Sequence, residues 1–481
     1  MKGRLCAVAA ALAVLALSFS GCGDETGQTV PAPTASAASQ ADGTQAAQTG
    51  LLNAVKEGET YRYLVWNVTD PNNPYEAMTD SLAAAWHKKR EAIQEKYGIT
   101  IEYVKSPEGS WDATAMEAAY TGTPLADIVD LGGNYNVLRF YNYNGRPGAI
   151  MAPLSDYSQY ADFNDEAYWD TQLQETCIFQ DKLWYCVPRV NGVGNVSFNM
   201  VTFIDKNVME AKGISVQELY ELNQNGEWTW EKFREIAART TDPDSGEYGV
   251  LYTTDVVMPY ALMAANQVDP LGKQEQPNGT MADVYAGNDA RVVETYNFLA
   301  QLFQDNQINV GGDSEFNTGK YAMTVTYMCR ATNYSPDNLG IDRLGILMPP
   351  KGPAAQDYSS MVNWYVPSGV FKDISNKAGA VQIMCEYLRP EYAIGSEEDK
   401  ALFEAEAMTF ASDEGSLWTL NNLADKTMGY KIWNYSNAVT APFSDMSVIL
   451  SILDGSTTAQ AHFDSVADSI NYALKSEQGL Q

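Results

Sequence analysis

Residues 61–133 alternate extended and helical patterns, and no other feature of the sequence constrains the fold as tightly. Tyr61-Arg62-Tyr63-Leu64-Val65-Trp66 reads as a strand. Over residues 75–97, Leu82, Trp86, Ile93 and Tyr97 recur at helical spacing, and Gly98 ends the run. Residues 99–104 read as a second strand, a helix follows around 111–120, and residues 126–131 form a third strand ending in Gly132-Gly133. That order predicts a parallel α/β unit with right-handed crossovers. Its ligand face should lie at the carboxyl ends of the strands, near Trp66, Asn67 and Asp130.

The rest of the chain continues this theme. Residues 195–200 read as extended. Thr229 is placed to cap a helix running through Arg239, although Lys232 stands where a capping-box acid is usual. Trp230 and Phe233, three apart, are expected to pack together. Residues 291–306 form an amphipathic pattern, Gly319 introduces a core strand at 321–325, and residues 344–349 read as a strand stopped by Pro349-Pro350. A helix over 377–388 carries Val381, Met384, Cys385 and Leu388 on one side, and the remainder is mostly helical.

The chain has 481 residues, a length suited to more than one cooperative unit. Its 61 acidic residues outnumber 31 basic ones, and the net charge of -30 repels phosphate backbones and counts against nucleic-acid binding. Only His87 and His462 are present, which counts against a zinc centre or an imidazole base. The residues suggest no metal, no cofactor and no catalytic constellation.

At the N-terminus, Lys2 and Arg4 precede an apolar run of about 15 residues, short for a stable membrane span and typical of an export signal. Leu17-Ser18-Phe19-Ser20-Gly21-Cys22 resembles a bacterial lipobox, with Phe19 where that pattern usually has Leu. The resemblance implies a signal peptide over 1–21 and lipidation of Cys22, anchoring the protein to the extracytoplasmic face of the cell membrane. Gly23 to Gly50 is rich in Ala, Thr, Gln, Gly, Ser and Pro and buries too little to offset its ordering entropy, so residues 22–54 are expected to form a lipidated tether. Cys177 and Cys186 flank a predicted hairpin. A turn at Asp181-Lys182 would set them opposite each other, where an oxidising exterior permits a disulfide. Cys329 and Cys385 read as buried small hydrophobes.

Taken in order, these signals resemble an extracellular solute-binding protein of the large sugar-binding class that serves ABC importers. The resemblance covers roughly 400 residues and rests on ordered short motifs as well as the first strand-helix-strand. They are Lys182-Leu183-Trp184-Tyr185-Cys186-Val187-Pro188, similar to the family's Tyr-x-x-Pro; Trp228-Thr229-Trp230-Glu231-Lys232-Phe233, similar to its Thr-Trp-x-x-Phe; and Phe316 with Gly319-Lys320-Tyr321-Ala322-Met323, similar to its Phe-x-x-Gly-Lys-x-Ala-Met. Phe198-Asn199-Met200 departs from the family's usual Tyr-Asn-Lys, and Val366-Pro367-Ser368-Gly369-Val370 matches its return strand less well. The resemblance implies a periplasmic-binding-protein-like α/β fold of two discontinuous lobes with a ligand cleft between them. The first lobe would hold 55–198 and 353–415, the second 199–352 and 416–475. Its implied partners are a carbohydrate ligand and ABC transporter permease subunits, with the protein itself a monomer.

A sugar offers C–H faces to aromatic rings and hydroxyls to Asp, Asn and Arg. The candidate ligand residues are Trp66 and Asn67 after the first strand, Asp130 and Asn134 around Gly132-Gly133, Tyr327 and Arg330 after the strand begun at Ala322, and Trp364 and Tyr365 near the return to the first lobe. Trp228 and Trp230 read as structural. The competing readings are a secreted glycoside hydrolase, which needs a spaced carboxylate pair, a binding protein for a non-sugar solute such as a peptide, and a surface lipoprotein without a ligand.

Overall fold

A computed structural model describes residues 50–480 apart from 67, 73, 75–79, 255–256, 335–339 and 363. The signal peptide, Cys22, most of the tether and Asn67 therefore lie outside the described residues. In chain order the strands are β1 (Thr60–Val65), β2 (Thr100–Val104), β3 (Ile128–Asp130), β4 (Met151–Ala152), β5 (Ile178–Phe179), β6 (Lys182–Leu183), β7 (Met200–Asp205), β8 (Tyr248–Thr253), β9 (Leu271–Glu275), β10 (Met281–Tyr285), β11 (Ile308–Gly311), β12 (Tyr321–Tyr327), β13 (Leu344–Leu347), β14 (Ser360–Val362), β15 (Ser368–Phe371) and β16 (Thr427–Gly429).

Two five-stranded sheets organise two α/β lobes. The first has the order β2-β1-β3-β15-β4, the second β11-β8-β12-β7-β13. β1 pairs in parallel with β2 and β3, as strand-helix-strand crossovers require, and the helices Asp80–Tyr97 and Trp111–Tyr120 make those crossovers. β15 enters antiparallel beside β3, with Ser368 opposite Asp130. The first lobe is thus closed by a strand more than 200 residues further along the chain. β7 lies in the second sheet between β12 and β13, antiparallel to both and buried along its whole length. A strand covered on both faces is mostly apolar, and in Met200-Val201-Thr202-Phe203-Ile204 the one polar side chain, Thr202, donates its buried hydroxyl to Met348 O at 3.0 Å.

Local chemistry fixes the ends of several elements. Thr229 Oγ1 accepts the Lys232 N–H and caps the helix Trp230–Thr240. Trp230 and Phe233 both pack on Phe298, with ring centroids 4.7 and 6.4 Å away, in one core cluster. Gly319 takes a left-handed φ of 71° to turn the chain into β12.

Four expectations need correction. Residues 192–196 form a 3-10 turn, so the stretch 195–200 is not extended throughout; β7 begins only at Met200. The linker expected to run to residue 54 is already tied down at Leu52, whose N–H donates to Gln159 O at 2.8 Å, and at Ala54, held by Gln382 and Asn376. The hairpin turns at Gln180-Asp181, both with positive φ, not at Asp181-Lys182.

That shift in register undoes the proposed disulfide. Phe179 now faces Lys182 and the Trp184 N–H donates to Cys177 O, so Cys186 is not opposite Cys177. The two thiols are free and buried in different clusters, Cys177 among the inter-lobe core residues and Cys186 beneath the first sheet beside Cys385.

Candidate functional site

The carboxyl ends of β1 and β3 end in a cluster of aromatic and polar side chains, and glycine makes their approach possible. Gly132 has φ +67°, and a Cβ there would fall 2.6 Å from Trp66 Cγ, so the indole ring lies directly on the glycine backbone. The Trp66 carbonyl accepts from Ser106 Oγ at 2.8 Å, which fixes the chain leaving β1. A Cβ on Gly133 would meet the Tyr135 ring and come within 3.2 Å of Trp364 Nε1. Trp66, Tyr135 and Trp364 therefore converge on the Gly132-Gly133 turn, half-buried or exposed rather than sealed in the core. Trp364 also leans on Phe198, with ring centroids 4.7 Å apart.

Polar groups stand among these rings. Asp130, the last residue of β3, accepts the Gly132 N–H at 2.9 Å. Burial pushes its carboxyl up to about 7, and that single hydrogen bond only partly offsets the effect. Asn134 is 2% exposed; its Nδ2 makes no close hydrogen bond among the described residues, and its side chain lies beside the Tyr365 hydroxyl. Asn136 braces the turn from below by donating to Leu131 O at 2.8 Å. A buried amide without a close hydrogen bond is costly unless something supplies one.

The other predicted residues divide. Tyr365 is 6% exposed, and its hydroxyl donates to Asn434 Oδ1 at 3.0 Å and meets Thr176 Oγ1. It braces the cleft floor. Tyr327 ends β12 opposite Met200, and the next turn, Met328–Arg330, is held to the lobe crossing by Met328 N–H to Asn199 O at 2.8 Å and Cys329 N–H to Ser197 O at 2.9 Å. This places Tyr327 and Arg330 beside the segment that carries Phe198. Arg330 is paired with Asp313 at 3.5 Å. Asn67 falls outside the described residues.

The sequence reading missed Tyr135, Phe198 and Trp433 as site residues. Trp433 lies in the 3-10 turn Lys431–Asn434, which packs against the turn Asn134–Asn136 and so comes to the same cleft from a distant part of the chain. Its ring is 4.5 Å from that of Tyr260, and its Nε1 has no acceptor among the described residues. Asp269, which bears electrostatically on the same Tyr260, is a second half-buried carboxyl pushed by burial up to about 7. Tyr135 follows Asn134 directly and was within reach of the strand-end argument; Trp433 carries no local signal.

Trp228 is fully buried and donates from Nε1 to Met348 O at 3.0 Å, a structural role. Among the described residues no group of three or more His, Cys, Asp or Glu is placed to hold a metal ion, and no helix is long and apolar enough to cross a membrane.

The family model of the bacterial extracellular solute-binding proteins matches residues 88–394. A search of curated protein sequences returns no match. Among solved structures, the chain is similar to the cyclic alpha-maltosyl-1,6-maltose binding protein of Arthrobacter globiformis, with a TM-score of 0.60 and 15% identity over 87% of this chain and 99% of that one. The sugar-binding protein MalE from Xanthomonas citri superposes with a TM-score of 0.59 and 14% identity over 86% and 97%. An ABC substrate-binding protein from Listeria monocytogenes, in complex with cycloalternan, gives 0.54 and 14% over 86% and 99%. At these identities the likeness is one of fold. With two α/β lobes, a cleft where the first sheet's strands end, and a family match over more than half its length, the chain belongs to the bacterial extracellular solute-binding proteins.

Proposed function

We propose that the protein captures a carbohydrate, a mono- or oligosaccharide, outside the cell and delivers it to the permease of an ABC importer. One observation carries this reading: Trp66, Tyr135 and Trp364 converge on the turn that bears Asp130 and the Asn134 amide. Rings take up the C–H faces of a sugar, and the carboxylate and amide take up its hydroxyls. The bound-sugar descriptions of the fold relatives, cycloalternan among them, support the same class.

In this reading the lobes comprise 55–198 with 353–415 and 199–352 with 416–475, and a ligand touching both favours the closed state. Cys22 carries the lipid, residues 23–50 form the tether, and the monomeric body works at the extracytoplasmic face of the membrane. Calorimetry of the full-length protein against a saccharide panel tests the proposal, with Trp66→Ala beside the wild type. Binding of at least one saccharide, weakened about tenfold or more by the substitution, is expected. No heat with any carbohydrate would overturn the substrate class.

A further inference from the structure

We propose that the cleft accepts uncharged saccharides and rejects those bearing a carboxylate or phosphate, and that Asp130 enforces the distinction. This inference rests on the saccharide reading of the same site and narrows it.

Asp130 is half-buried where the strands of the first sheet end, and its hydrogen bond comes from a neutral donor, the Gly132 N–H at 2.9 Å. Among the described residues no Lys, Arg or His pairs with it. The cations on the elements around β3 are committed elsewhere: Arg62 to Asp127, Arg139 to Asp112, Lys431 to Asp283 and Arg330 to Asp313. The internal residues outside the described set contain no Lys, Arg or His in the sequence, so none of them supplies a counter-charge.

The remaining lining is equally unfavourable to an anion. Indole and phenol faces carry the negative end of the ring quadrupole, which suits C–H groups and repels carboxylates. The neutral donors are the Asn134 amide, 2% exposed and beside the Tyr365 hydroxyl, and the Trp433 Nε1; they suffice for a hydroxyl but carry no charge to offset an anion. An anionic ligand a few ångströms from an ionised Asp130 in a partly desolvated cleft meets a repulsion worth roughly 100-fold or more in affinity.

The test uses the full-length protein at pH 9, where Asp130 is ionised and taking up a proton to relieve the repulsion would itself cost about 100-fold. Neutral saccharides and the uronates that differ from them by one carboxylate are titrated calorimetrically into wild type and Asp130→Asn. The expected result is a wild-type preference for the neutral member of about 100-fold, shrinking to about tenfold or less in D130N. A uronate binding wild type within tenfold of its neutral counterpart overturns the inference and leaves the saccharide reading standing. So does a preference that D130N leaves unchanged, since another group would then enforce it. If no saccharide of either kind binds, the saccharide reading falls and takes this inference with it. Should D130N fail to fold, the wild-type comparison alone still decides the discrimination.

Discussion

Lys431 Nζ stands 3.0 Å from the Asp283 carboxylate, with the two side chains 8% and 1% exposed. The lysine belongs to the turn that also carries Trp433, and the aspartate to β10. The same ammonium donates to Ile178 O in the β5–β6 hairpin and lies over the Phe179 ring, 3.9 Å from its centroid. Tyr435 completes the set by donating to Asp283 at 2.6 Å. One buried ion pair thus ties β10 to the β5–β6 hairpin. Removing one partner leaves the other charge buried, which costs more than the pair contributes.

Lys431→Met should therefore destabilise the protein by about 3 kcal/mol in urea unfolding, toward the lower end for a buried pair because Lys273 still reaches Asp283. The double variant Lys431→Met with Asp283→Leu should recover part of that loss, since no charge is then stranded. A double variant less stable than the single one would show that the pair is favourable in its own right.

The same pair predicts an acid limb. Burial raises the Asp283 pKa, but Lys431 and Lys273 more than offset it and hold the carboxyl below its usual 3.8. A depressed carboxylate contributes stability that is present above its unfolded value and is lost as pH falls through the folded one. Wild-type stability should drop below about pH 4. Asp283→Asn should be weaker at pH 6 yet lose less between pH 4 and pH 2, measured as unfolding midpoints across that range.

Asp130 has the opposite sign. Its folded value of about 7 lies above the usual 3.8, so between those limits the native state holds a proton that the unfolded chain has released. Its contribution is fully present below 3.8 and gone once pH passes 7. Thermal midpoints of wild type should fall by a few degrees between pH 4 and pH 8 on this account, and Asp130→Asn should flatten that slope and exceed wild type at pH 8. A stabilised variant that binds ligand more weakly is what a strained binding residue leaves behind.

The parts of the molecule legible in sequence are those with a local cause. The helix at Trp111–Tyr120 and the Thr229 cap follow from periodicity and side-chain chemistry within a few residues. Trp66 and Asp130 were reachable because strand ends in a parallel sheet fall on one face. The hairpin was missed by one residue, because Gln180 and Asp181 both adopt left-handed backbone and neither advertises it as Asn-Gly would. That one step moved Cys186 away from Cys177. Trp433 reaches the cleft only because two 3-10 turns nearly 300 residues apart pack together, and no window of sequence contains that fact.

The contact between Gly132 and Trp66 yields a prediction that separates strain from collision. Gly132→Ala brings two penalties: a left-handed φ of +67° for a residue with a side chain, and a Cβ placed 2.6 Å from Trp66 Cγ and 2.9 Å from its Cβ. The first costs about 1 kcal/mol wherever it occurs. The second exists only while the indole is there, and relieving it means moving the ring that is proposed to stack on the ligand. In a double-mutant cycle, Gly132→Ala should cost about 2–3 kcal/mol in wild type and about 1 kcal/mol in the Trp66→Ala background, a coupling of at least 1 kcal/mol. Urea denaturation of the four proteins measures the coupling in stability, and saccharide titration measures it in affinity. Additive effects would mean that the ring and the glycine are not in contact in solution, and the wall of the cleft would then need a different arrangement.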